Sequence, residues 1–157
     1  MAYDGHEDGR RDFHFLYGRW AVAHRRLKER GVGCAEWEEF TGTAFCQGLM
    51  GGLCNVDEND LGERGHGLTF RTFDVEAGRW SIYWVDAAGA LGAPVHGRFQ
   101  AGVGRFEGDD TCAGRPVKVA FLWEPAAEGG ARWSQAFSYD AGRSWETNWV
   151  MTFTRSA

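Results

Sequence analysis

The sequence predicts an all-β fold: an antiparallel up-and-down β-barrel of about ten strands. Short segments in which polar and apolar residues alternate recur along the 157 residues, whereas helical periodicity is hard to find. The links between these segments are rich in Gly, Asp and Asn, and the chain has 23 Gly in all. A sheet of this size with one strongly apolar face closes more readily than it stays flat, because closure removes its exposed edges. A two-sheet sandwich is the alternative.

The predicted strands follow one another along nearly the whole chain. In order they are RWAVAHRRLKE, EWEEFTGTAFCQ, GLCNVDEND, GLTFRTFDV, RWSIYWVDA, PVHGRFQ, GRFEGDD, RPVKVAFLWE, ARWSQAFSYD and SWETNWVMTFTR. No helical stretch between them is long enough for a parallel crossover, so sequential strands should pair antiparallel. We expect residues 1–157 to form one barrel domain, with residues 1–12 as a flexible N-terminal segment.

Composition and charge exclude several classes of partner. The formal net charge of −5 argues against nucleic acid, which requires a concentrated basic face. The N-terminal residues MAYDGHEDGRRD contain no apolar core of a secretory signal, and VAFLW, residues 119–123, is far shorter than the roughly 20 apolar residues of a membrane helix. The sequence therefore predicts a cytoplasmic protein with no membrane partner.

Two further clusters of residues have structural interpretations. A basic run is followed closely by an acidic one, which indicates two neighbouring strands that exchange solvated charges. The four cysteines are irregularly spaced, which predicts small buried side chains in a reducing compartment rather than disulfides or a zinc site. The charged residues are Arg25, Arg26, Lys28, Arg30, Glu36, Glu38 and Glu39, and the cysteines are Cys34, Cys46, Cys54 and Cys112.

A short motif at each end of the chain suggests how the barrel closes. Gly18 and Trp20, separated by one residue, open the first long strand, and Arg155 ends the last. This pattern resembles the calycin superfamily, the lipocalins and their relatives, in which a Gly-x-Trp on strand one packs across the barrel floor against a basic side chain from the final strand. The resemblance implies that Trp20 and Arg155 stack at one end of a calycin-like barrel, where cation–π attraction would stabilise them.

Nearly the full chain, from DFHFLYGRW to WETNWVMTFTR, also resembles an uncharacterised bacterial family of lipocalin-like proteins. The tryptophan-rich segments RWSIYWVD and RWSQAFSYDAGRSWETNW carry this resemblance. It implies a calycin-like barrel and nothing about a reaction or a substrate.

Strand parity predicts which side chains face the barrel interior. A barrel of this size can leave a cavity, so polar residues among inward aromatic ones are candidate ligand contacts. The predicted ligand-binding residues are His24, Glu39, Phe70, Thr72, Trp84, Gln135, Thr147 and Trp149. Other predicted inward residues are Trp20, Val22, Leu68, Trp80, Ile82, Val117, Val119, Phe121, Trp123, Trp133, Phe137, Trp145, Met151 and Phe153, whereas Asn148 is predicted to face outward.

Catalytic and cofactor motifs are few. His24 and Glu39 could act as an acid–base pair if they approach each other across adjacent strands. GVGRFEG is one residue too long for a dinucleotide fingerprint and lacks the helix that should follow. No two histidines have metal-ligand spacing, and none follows His96, so a late-strand haem ligand is missing. The sequence predicts no cofactor and no metal.

The stretch SYDAGRSW, residues 138–145, resembles the Asp-box of sialidase-type β-propellers. A propeller needs several four-stranded blades, and this chain has one good copy, so a sugar-cleaving role is not expected. We interpret the stretch as a rigid hairpin: Asp140 accepts backbone hydrogen bonds, Gly142 adopts positive φ, and Trp145 tucks its ring beneath the turn.

Two functional hypotheses follow. The first is a barrel whose aromatic-lined cavity binds a small apolar or aromatic molecule, because eight tryptophans exceed what a barrel floor requires. The second is a cofactor-independent isomerase, cyclase or lyase that uses His24 and Glu39. A role as an interaction subunit ranks lower, although a homodimer is compatible with the sequence.

Overall fold

The computed structural model describes residues 9–156, which form a closed barrel of ten antiparallel strands. Each strand pairs with its neighbours in sequence, and β1 closes the barrel on β10. The up-and-down barrel prediction is therefore confirmed over the sandwich. The strands are β1 (Gly18–Leu27), β2 (Trp37–Leu49), β3 (Cys54–Asp60), β4 (His66–Asp74), β5 (Arg79–Val85), β6 (Val95–Gln100), β7 (Val103–Cys112), β8 (Arg115–Pro125), β9 (Ala131–Ser138) and β10 (Glu146–Arg155).

Helical structure in residues 9–156 amounts to four 3-10 turns, none of which has the length or apolar character to cross a membrane. These turns are His14–Leu16, Met50–Gly52, Gly62–Arg64 and Ala127–Gly129. The first one lies just before β1 and belongs to a segment that covers one end of the barrel.

That covered end, here called the floor, contains the predicted closure. The Arg155 guanidinium lies 3.9 Å from the centroid of the Trp20 ring and donates hydrogen bonds to the carbonyls of Phe15 (2.7 Å) and Tyr17. Gly18 has φ of +108°, and a Cβ there would come within 2.8 Å of Arg155 Nη1. Glycine is therefore required where the chain passes the guanidinium, and the predicted pairing of Trp20 with Arg155 is confirmed.

The segment before β1 completes the floor. Phe13 is fully buried and packs edge-on against Trp80 and Phe99, with ring centroids 4.9 and 5.0 Å apart. Trp80 Nε1 donates to Asp12 at 3.3 Å, and residues 9–12 form a turn. Residues 1–8 of the predicted N-terminal segment lie outside the described residues.

Strand parity gives the correct inner face on β1, β5, β8 and β9, and the wrong one on β4. Phe70 and Thr72 lie on the outer face, where the Phe70 ring meets that of Tyr83, and the buried inner residues are Thr69, Arg71 and Phe73. The alternation is ambiguous here because both faces carry large apolar residues. Arg71 lies on the inner face of β4 because its partners, Asp57 and Asn55, lie on the inner face of β3.

Two other inward predictions are wrong. On β2, Glu39 lies on the exposed outer face, 3.8 Å from Arg25. On β10, a β-bulge shifts the register between Thr147 and Trp149, so Thr147 is exposed whereas Asn148 is fully buried. One extra residue in a strand reverses the parity beyond it, and alternation alone cannot locate that residue.

The predicted strand-to-strand charge exchange is confirmed. Besides Arg25–Glu39, the β1–β2 hairpin holds Arg26–Glu38 at 3.0 Å and Lys28–Glu36 at 3.7 Å. All four cysteines are free.

The Asp-box-like hairpin joins β9 to β10 as predicted. Asp140 accepts hydrogen bonds from the Ser144 backbone (2.9 Å), the Ser144 hydroxyl (2.6 Å) and the Ser138 hydroxyl (2.8 Å). These bonds, chiefly those from Ser144, lower the pKa of Asp140 to about 2. Gly142 has φ of +93°. Trp145 precedes β10 and is half-buried, and the Arg105 guanidinium lies 5.4 Å from its ring.

Candidate functional site

A cavity lies inside the barrel, between the floor and the opposite end, here called the mouth. Its volume is about 130 Å³, measured as the space open to the centre of a water-sized sphere. This is well above the space that one water needs, roughly 10–15 Å³, so the cavity has room for a small molecule. The mouth is formed by the connections at residues 28–36, 61–65, 86–94, 113–114 and 139–145.

One wall of the cavity is aromatic and apolar. It is contributed by β5, β8, β9 and β10. Phe121 packs edge-on against Trp133 at 5.0 Å, and Trp133 packs edge-on against Trp149 at 5.6 Å. The wall consists of Ile82, Trp84, Val119, Phe121, Trp123, Trp133, Phe137, Trp149 and Met151. Such a surface offers ring faces and edges to a flat apolar molecule.

The facing wall, on β3 and β4, is polar. Arg71 Nη1 lies 2.6 Å from Asp57 Oδ2 in a salt bridge and donates to Asn55 Oδ1 at 2.8 Å. Asn59 Nδ2 donates to Asp57 Oδ1 at 2.5 Å. All four side chains are buried. We call Asn55, Asp57, Asn59 and Arg71 the polar cluster.

Sequence reasoning missed the polar cluster, although one signal was present. Asn55, Asp57 and Asn59 occur at every second position of NVDEND, and they occupy one face of β3. Such a pattern is typical of a solvent-exposed face. Here the same pattern lines the interior, because Arg71 enters from the neighbouring strand and satisfies the Asp57 carboxylate.

Cys46 lies close to the polar cluster but is a poor nucleophile. Burial raises the pKa of its thiol to about 12, with Asp57 adding to the rise and Arg71 opposing it. A thiol with this pKa stays protonated at neutral pH.

Four buried nitrogen atoms around the cavity have no hydrogen-bond partner in the described part of the chain. They are Arg71 Nε, Trp123 Nε1, Asn55 Nδ2 and Asn148 Nδ2. All four are donors, and Arg71 and Trp123 belong to the residues that line the cavity. Native structures seldom leave buried donors without a partner, so these four N–H groups indicate that the site accommodates a hydrogen-bond acceptor.

His24 contacts the aromatic wall through Trp149. Trp149 Nε1 donates to His24 Nδ1 at 3.1 Å, and the imidazole stacks on Phe40 at 4.5 Å with an interplanar angle of 8°. Burial, together with Arg26 and Arg64, lowers the pKa of His24 to about 4. His24 is therefore neutral at pH 7, and its accepting Nδ1 orients the indole of Trp149.

The predicted His24–Glu39 acid–base pair does not form. His24 lies on the inner face opposite Phe40, whereas the Glu39 side chain is on the outer face and 77% exposed. Adjacent positions on a strand point to opposite faces, so His24 cannot share a face with both. The enzyme hypothesis loses the pair on which it depended.

The other predicted contacts divide into two groups. Trp84, Gln135 and Trp149 line the cavity, and Gln135 Nε2 donates to Asn148 Oδ1 at 2.8 Å. Phe70, Thr72 and Thr147 lie on the outer face for the reasons given above.

Charged side chains surround the mouth. Arg26 and Arg64 both pair with Glu38 at 3.0 Å, and the Arg64 guanidinium lies 3.9 Å from the Phe40 ring. Asp109 and Asp110 of β7 line the cavity near the same end. Within residues 9–156, no group of three or more His, Cys, Asp or Glu side chains could hold a metal ion.

A scan against models of known protein families finds no match to this chain, and a search of curated proteins finds none either. The class of protein is therefore defined by its architecture: a closed ten-stranded antiparallel barrel with a buried aromatic cluster and an internal cavity.

Proposed function

We propose that this protein binds a compact aromatic molecule inside its barrel. The single observation that carries the proposal is the cavity itself, because its wall of aromatic side chains is left uncovered by the protein's own core. A preformed apolar cavity with a few convergent polar groups is typical of a ligand site. Its volume of about 130 Å³ favours a small ligand such as one substituted ring.

The arrangement of the tryptophans supports binding over simple core filling. Trp84 and Trp149 are half-buried and line the cavity, whereas Trp20 and Trp80 are fully buried at the floor. His24 fixes the orientation of the Trp149 ring through its hydrogen bond. Rings held in place in this way lose little conformational entropy when a ligand arrives.

Titration calorimetry with acetophenone and isopropylbenzene, two small benzene derivatives, tests the proposal. We expect at least one of them to bind with a stoichiometry of one, and the Val119→Phe variant, which fills the cavity, to lose that binding. Leu122→Phe is the matched control, because Leu122 lies on the outer face of the same strand. The proposal fails if neither compound binds, or if the Val119→Phe variant is correctly folded and binds as well as Leu122→Phe.

We further propose that the barrel is a member of the calycin group and works in the cytoplasm. The calycin proposal is supported by the stacking of Arg155 on Trp20 at the floor of a closed meander.

The proposal of a cytoplasmic location is supported by the four free cysteines, which suit a reducing compartment. Fractionation of the producing cells would test the location: recovery with the periplasmic or secreted proteins would contradict it.

A further inference from the structure

Two donors without partners lie together at the floor side of the cavity. Arg71 and Trp123 are 3% and 2% exposed, and both line the cavity. The Arg71 guanidinium carbon is 5.7 Å from the centroid of a Trp123 ring, so the two side chains form one patch of wall. Within residues 9–156, neither Arg71 Nε nor Trp123 Nε1 has a hydrogen-bond partner.

The remaining contacts of Arg71 explain why Nε stays available. Its Nη1 is engaged by Asp57 and Asn55, and its guanidinium lies 4.9 Å from the Phe13 ring. The Cys46 thiol also interacts with this guanidinium, and together these contacts hold it in place. A fixed and buried N–H on a residue that lines a cavity is a preorganised donor, which gains most from an acceptor that the cavity admits.

The charges of the cavity select the kind of acceptor. Among residues 9–156, the charged residues that line it are one cation, Arg71, and three carboxylates, Asp57, Asp109 and Asp110. Asp57 already neutralises Arg71 at 2.6 Å. A ligand carboxylate would therefore meet no unpaired cation among these described lining residues, and burial of an unpaired charge is costly.

We propose that the ligand carries a neutral hydrogen-bond acceptor, a carbonyl oxygen or an unprotonated ring nitrogen, that accepts from Arg71 Nε and Trp123 Nε1. This inference rests on the proposed function, because it names the chemistry of the molecule in the same cavity. The aromatic wall holds the ring of the ligand, and the two donors fix its orientation.

Four benzene derivatives of nearly equal size and shape test the inference by titration calorimetry on the full chain at pH 7. They are acetophenone, isopropylbenzene, benzoate and 1-phenylethylammonium, which differ in a neutral acceptor, no polar group, an anion and a cation. We expect acetophenone to bind about tenfold or more tightly than isopropylbenzene, which leaves both donors unpaired. Benzoate should bind at least about tenfold more weakly than acetophenone, because its charge stays unpaired.

The Trp123→Phe variant separates hydrogen bonding from ring packing. It should weaken acetophenone about threefold to tenfold more than it weakens isopropylbenzene, because both compounds lose the same ring contact and only acetophenone loses a hydrogen bond to the N–H. Trp145→Phe is the matched control, since Trp145 is half-buried and is not among the residues that line the cavity. If Trp123→Phe does not fold, the indole N–H resonance of Trp123 in the wild-type chain serves instead: acetophenone should shift it, and isopropylbenzene should not.

The outcomes distinguish this inference from the proposed function. Failure of both acetophenone and isopropylbenzene to bind overturns both. Equal affinity for isopropylbenzene and acetophenone overturns the inference alone, and assigns the two donors to enclosed water. Tighter binding of benzoate, or of 1-phenylethylammonium drawn by Asp109 and Asp110, also leaves the binding cavity standing and overturns the neutral acceptor.

Discussion

The two halves of the barrel use the same residue type for different purposes. At the floor, Trp20 and Trp80 are almost completely buried, and Phe13 from the segment before β1 packs edge-on against Trp80. Toward the mouth, Trp84 and Trp149 face a cavity. A high tryptophan content therefore does not itself make a site. What distinguishes the halves is whether another part of the chain enters and covers the rings.

The polar residues differ in the same way. At the floor, Trp20 Nε1 donates to the Leu16 carbonyl at 2.7 Å, and Arg155 donates to two carbonyls of the same segment. Around the cavity, four buried donors lack partners within the described chain. The floor is thus filled by the chain itself and leaves one buried hydroxyl, Tyr17 Oη, without a partner among the described residues, whereas the cavity wall leaves both space and several donors unfilled. This difference supports a structural role for one half and a binding role for the other.

The largest effect that tests this comparison comes from two tryptophans on β5. Trp80→Ala should cost about 3–5 kcal/mol in the free energy of unfolding, because it opens a void in a filled floor. Trp84→Ala should cost on the order of 1–2 kcal/mol, because its ring is only half-buried and already borders a cavity. Chemical denaturation of the two variants measures both values. Equal costs would show that the two halves are packed alike.

How far the sequence predicts this molecule depends on where the deciding partner lies. The ten strands and the Trp20–Arg155 closure follow from local alternation and from motifs at the two chain ends. Trp84, Gln135 and Trp149 follow from parity within a single regular strand. The inward position of Arg71 does not follow from its own strand, because each face of β4 carries large apolar residues: Leu68 and Phe70 on one, Phe73 on the other. The choice between the faces depends on Asp57 of another strand.

The bulge at Asn148 shows the same limit on a smaller scale. Thr147 and Trp149 share a face by counting, yet the register shift places Thr147 outside and buries Asn148 against Gln135. A bulge is stabilised by contacts made across the sheet. Nothing in the strand's own alternation marks its position.

A second prediction concerns His24, whose low pKa makes the stability of the fold depend on pH. Its pKa is about 4 in the folded protein against 6.5 in the unfolded chain, so below pH 6.5 the unfolded state binds the proton more readily. Stability is therefore full above pH 6.5 and falls as the pH drops toward 4. The loss should be on the order of 3 kcal/mol.

Denaturation of the wild type and of His24→Gln at pH 7, 5.5 and 4 measures this effect. The glutamine amide oxygen can still accept from Trp149, but the side chain does not titrate. We expect the stability difference between the two proteins to shrink or reverse at low pH. Parallel pH curves would assign the acid sensitivity to other groups, such as Glu38 beside Arg26 and Arg64.

The smallest expected effect is at the β9–β10 hairpin, which stands at the mouth without lining the cavity. Asp140→Ala should lower the melting temperature, because the Ser138 and Ser144 donors lose their acceptor. The pKa of Asp140 is about 2 when folded against 3.8 when unfolded, so its contribution is present above pH 3.8 and is lost as the pH falls through about 2. The two melting temperatures should converge over that interval. Ligand affinity should stay unchanged, and a variant with wild-type stability but weakened binding would instead make this hairpin part of the site.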